Sequence, residues 1–213
     1  MMKEKLQQWL LDRLSFSTMV YLPFTNDMRH NFEDAYDQLR KNQLERYNGP
    51  YPLYLLLHYL IVEKGCLVHG SNYANISMFE PRQQTLYNGK PVTAVFASSD
   101  GLWSLFFAVV NRLEYDGALK NLCIVTKNKR YYYFSLNRDW SGTLWREGTI
   151  YVLPSDSFVR GGAKAEWVSE NPVSPVAKLA VKPEDFIFRN QVKRHDENEP
   201  HLRSLVKGLL YKE

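Results

Sequence analysis

Over the first 65 residues, apolar side chains recur at helical spacing. Leu6, Trp9, Leu10 and Leu14 fall on one face and predict a first helix. Met28, Phe32, Ala35, Tyr36 and Leu39 form the apolar stripe of a second, which "NGP" at 48–50 stops. The stretch "YPLYLLLHYLIVEKG" predicts a third, with Pro52 near its first turn and Gly65 as its C-terminal cap. It is apolar on nearly every side, the pattern of a buried helix. After Gly65 the pattern shifts to short β-rich runs between turn residues, predicting strands near 66–69, 92–97, 121–126, 130–136, 148–153, 165–168 and 174–181. "KNK" at 127–129 makes a hairpin of the third and fourth. One helix interrupts the strands. It starts after Ser98 or Ser99 as N-cap, with Asp100 complementing its dipole, and aligns Leu102, Leu105, Phe106, Val109 and Leu113. "NQVKRHDENEP" reads as a charged linker, and Leu202, Leu205, Val206 and Leu209 predict a closing helix. The fold class is therefore α+β: an N-terminal helical segment over 1–65, a mostly antiparallel sheet core over 66–190, and a linker with a C-terminal helix over 191–213.

Composition changes this picture little. A chain of 213 residues, 45% hydrophobic, buries roughly 70% of its unfolded surface and needs neither metal nor disulfide to fold. The net charge of +4 is spread over "KNKR" at 127–130, "KR" at 193–194 and isolated arginines. Without a continuous basic stripe, nucleic-acid binding is permitted rather than indicated. Cys66 and Cys123 lie in apolar strand-like runs, as buried reduced thiols of a cytoplasmic protein do. The N-terminus carries dispersed charges and no small-residue cleavage site, unlike a secretory signal. The longest apolar run, Tyr51 to Val62, is short of the ~20 residues that span a bilayer, so no membrane partner is expected.

The common catalytic motifs are missing: no phosphate loop, no G-x-G-x-x-G, no G-x-S-x-G. The five histidines are scattered, and no metal site is expected. His195 and His201 flank an acidic cluster and read as solvated. "FFAVV" and "RYYYF" read as core. Attention falls on His69 at a strand end, followed by Gly70 and Ser71, whose small size lets a group approach the backbone. A second element, "AVFASSD", ends in small residues at a strand-to-helix junction. A third, "AEWVSENP", carries Glu166 before Trp167 and Val168. The plain readings are a hydrogen-bonded strand-end histidine and a solvent-facing glutamate.

In order, "HGS" (69–71), "VFASSD" (95–100) and "EWVS" (166–169) resemble the three signature strands of the ADP-ribosyltransferase fold, in its poly(ADP-ribose) polymerase and diphtheria-toxin branch. The likeness covers roughly 66–188 and leaves the N-terminal helices outside. It implies a split β-sheet core of ADP-ribosyltransferase-like type and NAD as the substrate. It also implies a transfer of ADP-ribose to a protein, nucleic acid, small molecule or water, in a cytoplasm of bacterial type. Cleaving the nicotinamide–ribose bond develops an oxocarbenium ion, as glycoside cleavage does. By resemblance, Glu166 stabilises that cation and activates the acceptor, His69 holds a ribose, and Gly70 and Ser71 offer backbone groups to nicotinamide. Arg82 is assigned to the pyrophosphate from its charge alone.

The pattern departs from the family at the second strand. Its usual tyrosine is replaced by Val95 or, shifted by one, by Phe96, leaving Tyr73 or Phe106 to supply a ring. Val95 favours a rival reading, a non-catalytic module that binds a nucleotide or a protein partner. A third reading is an RNA-directed enzyme of the RNA 2′-phosphotransferase kind, which requires the dispersed cations to converge on one face. The first two part on whether His69 and Glu166 share a cleft with an aromatic between them; if the two side chains lie on opposite faces of the sheet, the enzyme reading fails.

Overall fold

The computed structural model describes residues 2–127 and 129–210. The chain begins with α1 (Met2–Leu11), β1 (Ser17–Met19), α2 (Asn26–Arg40) and α3 (Leu53–Val62). Then come β2 (Leu67–Ser71), β3 (Arg82–Thr85), β4 (Pro91–Ser98) and α4 (Gly101–Val109). They are followed by β5 (Lys120–Val125), β6 (Arg130–Asn137), β7 (Gly148–Leu153), β8 (Val159–Arg160), β9 (Glu166–Ser169) and β10 (Ala177–Val181). Last are β11 (Lys193–His195) and α5 (His201–Leu210). The protein is thus α+β with largely antiparallel sheets. No helix among the described residues is long and apolar enough to cross a membrane.

Two compact units form, and both cross the divisions expected at 65 and 190. The larger comprises Pro23–Arg112 and Leu144–Ile187; the smaller comprises Met1–Leu22, Leu113–Thr143 and Phe188–Glu213. Thus α1 belongs with β5, β6 and α5, whereas α2 and α3 belong with the second group of strands.

In the larger unit the strands run β10-β7-β2-β4-β9-β8, with β3 paired to β4, all antiparallel. β2 and β7 pair from Leu67–Leu153 to Ser71–Thr149. Between β2 and β4 the register holds a single pair, Val68 with Ser98, among the described residues. The sheet opens at that seam. α4 lies on one face, and glycines bring it close. A Cβ at Gly70 would stand 2.0 Å from the Ser104 carbonyl oxygen, and one at Gly148 1.9 Å from that of Ala108. Leu102, Leu105, Phe106 and Val109 of α4 are fully buried. On the opposite face Leu67, Val95, Ala97, Tyr151 and Leu153 pack under Phe79, Phe158 and Val173.

α4 departs from expectation at both ends. Its N-cap is Asp100, whose carboxylate accepts the Trp103 N–H at 2.8 Å; Ser98 serves one step earlier, its hydroxyl accepting the Asp100 N–H at 3.0 Å. The helix stops at Val109, where Asn72 takes over: its amide donates to the Ala108 carbonyl and accepts the Arg112 N–H. Leu113 therefore lies beyond the helix and is exposed. α3 ends as expected, with Gly65 at φ +65° and the Cys66 N–H bonded back to the Leu60 carbonyl.

In the smaller unit β5 and β6 form the expected hairpin. The other edge of β6 takes β1 antiparallel over 130–132 and β11 parallel over 135–137. The stretch expected to be a linker thus contains a strand. His195, expected in solvent, is buried, its Nδ1 2.9 Å from the Ser135 hydroxyl. Ser135 and the strand-pairing partner of His195, Asn137, both lie on β6, about 60 residues upstream, so local composition gave no sign of them. The Tyr131–Phe134 run is buried as expected.

Candidate active site

The seam between β2 and β4 creates the site. Once the strands part, the His69 ring bridges them, its Nδ1 2.8 Å from the Phe96 carbonyl oxygen. A carbonyl only accepts, so Nδ1 carries the proton and the neutral ring keeps Nε2 as an acceptor. Burial holds the His69 pKa below its usual value; the Phe96 carbonyl opposes that shift and the nearby Arg82 charge adds to it. The ring packs on Phe79, with centroids 4.8 Å apart.

Two cavities meet at this bridge. The first, of 220 Å³, lies on the α4 side and is lined by His69, Gly70, Phe96 and Glu166, with Trp103, Ser104 and Phe107 from α4. The second, of 710 Å³, is lined by His69, Phe96, Ser71, Tyr73 and Arg82. Gln84 of β3 lines both. Among the described residues no group of three or more His, Cys, Asp or Glu is arranged to hold a metal ion.

Four of the six sequence-selected residues, His69, Gly70, Phe96 and Glu166, therefore share one cavity. Ser71 and Arg82 fall to the other, where the Ser71 hydroxyl accepts the Tyr73 N–H. The group that approaches Gly70 closely is the backbone of α4. Of the two rings suggested as substitutes for the absent tyrosine, Phe106 is fully buried against Trp145 and Phe186. Tyr73 is exposed in the second cavity. The rings in the first cavity besides Phe96 are Trp103 and Phe107, which are i and i+4 on α4. A second aromatic stripe in "GLWSLFF", offset from the leucine stripe, was the available sequence signal.

Glu166 is buried rather than solvent-facing, and its carboxylate is held by backbone donors. The Tyr87 N–H lies 3.2 and 3.3 Å from its two oxygens, and Gly162 donates a further N–H. Gly161 makes room: a Cβ there would stand 2.5 Å from Oε1. Among the described residues these backbone donors hold the carboxylate without a cationic side chain and leave lone pairs for a ligand. The pairings Val68–Ser98 and Ser98–Glu166 put Glu166 on the α4 face, while strand alternation starts His69 from the other. By face, then, the expectation set for a non-catalytic module is met; by cleft, the expectation set for an enzyme is met, since both residues line the first cavity where the seam opens between them. Comparison of the chain with protein-family models, with curated proteins and with solved structures gives no match.

Proposed function

We propose that the chain is an NAD-dependent ADP-ribosyltransferase or NAD glycohydrolase-like protein, with the first cavity taking the nicotinamide–ribose end of NAD. The observation that carries this reading is the meeting of His69, Gly70, Phe96 and Glu166, from three separate segments, in one aromatic-walled cavity. Trp103, Phe96 and Phe107 offer flat apolar surface to a nicotinamide ring. Glu166 supplies negative charge where the ribosyl cation develops, and Nε2 of neutral His69 accepts a ribose hydroxyl. Arg82, in the adjoining cavity, meets the pyrophosphate. Two buried thiols outside any disulfide, Cys66 and Cys123, support a reducing cytoplasmic setting.

A second reading, a binding module without turnover, draws on the opposite sheet faces from which His69 and Glu166 start and on the grip of Tyr87 and Gly162 on the Glu166 carboxylate. Calorimetry with NAD and an assay for released nicotinamide separate the two. Catalysis requires binding together with release that falls about 10²–10³-fold in Glu166→Gln, the loss typical of removing a charge-stabilising group. Binding without release by the wild type supports the module, and absence of binding removes NAD as ligand.

A further inference from the structure

The first cavity has a cover that the three motifs do not explain. A straight β4 would carry the β3–β4 turn roughly 23 Å beyond Ser98, at about 3.3 Å for each of seven residues. Yet the Tyr87 N–H, in that turn, bonds Glu166, the residue paired with Ser98. β4 must therefore curl, bringing the hairpin back over the α4 side of the sheet. There the Tyr87 ring meets Trp103 edge-on, with centroids 6.4 Å apart, and Gln84 lines the cavity.

The tip is a self-contained unit. Leu86 N–H bonds the Lys90 carbonyl, Gly89 N–H bonds the Leu86 carbonyl, and Gly89 sits at φ +85°. It also fits the Gly161–Gly162 loop, since a Cβ at Gly162 would stand 2.6 Å from the Asn88 nitrogen. All four residues of β3 are exposed. A segment with so little apolar burial opens at lower cost than the strands beneath it.

We propose that the β3–β4 hairpin is a self-closing lid whose tip occupies the Glu166 carboxylate at rest, so that a ligand entering the first cavity must displace the Tyr87 N–H. The assignment of Glu166 as the carboxylate released for chemistry rests on the NAD reading; the lid itself does not. Closed, the tip neutralises the charge with backbone dipoles and shields the cavity from water. Open, it frees the carboxylate and exposes the Trp103 ring.

Two measurements on the full chain test the lid without NAD. In native-state hydrogen exchange of the wild type, the Tyr87 and Gly162 amides exchange at least about tenfold faster than those of the β4–β9 ladder, through local opening. Equal rates, limited by a common unfolding, overturn the proposal. In Tyr87→Pro, which lacks the N–H donor, acrylamide quenching of Trp103, read as the difference from the matching Trp103→Phe protein, rises at least roughly twofold. Unchanged quenching in a folded variant overturns it as well. Fast tip exchange without nicotinamide release retains the lid and removes the catalytic reading; nicotinamide release with tip exchange tied to the ladder does the reverse.

Discussion

His69 combines three constraints in one ring: a hydrogen bond across the seam, a face on Phe79 and a place in both cavity walls. Its lowered pKa has a definite consequence for stability. Between that lowered value and the ordinary 6.5, the unfolded chain binds more protons than the folded one, so stability falls as pH drops through this window. Above it the residue contributes no slope. In His69→Asn, whose amide can keep the bond to Phe96, the loss of unfolding free energy between about pH 7.5 and about pH 5.5 should be smaller than in the wild type. Denaturant titrations at the two values measure it, and an unchanged slope would place the acid sensitivity elsewhere. At this scale the motifs singled out His69, Gly70, Phe96 and Glu166, which line one cavity, because a strand-end histidine, small residues and a strand glutamate are visible in any sequence. They did not identify the Tyr87 and Gly162 donors, which act through backbone N–H groups that carry no side-chain signature.

At the scale of elements, long periodic segments were legible and short edge pieces were not. The three N-terminal helices, α4 and the seven longer runs from β2 to β10 follow from apolar spacing. β1, β3, β8 and β11 are two to four residues long and mostly polar; β1 and β11 exist through pairing with the distant β6, and β3 and β8 through pairing with the strand that follows each. The boundary of α4 shows how local chemistry decides. Ser98, Ser99 and Asp100 are all acceptable caps, and only the geometry of the junction selects Asp100, because Ser98 Oγ is already donating to the Ala165 carbonyl and accepting from Asp100. Asp100 is fully buried at the helix start that presents Trp103 and Ser104 to the cavity. Asp100→Ala should cost about 2 kcal/mol in denaturant unfolding, at the upper end for a lost N-cap, with Asp100→Asn recovering most of it. An equal loss in both variants would show that the charge, rather than the cap, is what the junction needs.

At the scale of the molecule, the grouping into units was not legible, because each unit gathers segments far apart in the chain. Periodicity reports which face an element buries, not which distant strand completes its sheet. Lys120 illustrates the consequence in the smaller unit. Its ammonium is buried and donates to the carbonyls of Asp196 and Glu199 and to the Ser204 hydroxyl, fastening the approach to α5 onto β5. Ser204 in turn donates to the Glu199 carboxylate, whose pKa is lowered by Lys207 first and by Ser204 and Arg203 besides, so the fastening extends into a charged cluster. Lys120→Met keeps most of the packing volume but leaves two carbonyls without this donor, a loss of about 2–4 kcal/mol for a buried charged hydrogen-bonding group. Because the larger unit closes its own sheet and core, the loss should be local. Amide protection along β5 and β6 is expected to fall by roughly 10²-fold while that along β2 and β7 is retained. A parallel fall in both sheets would mean that the chain unfolds as one cooperative body, and the two units would then be a description of packing without independent stability.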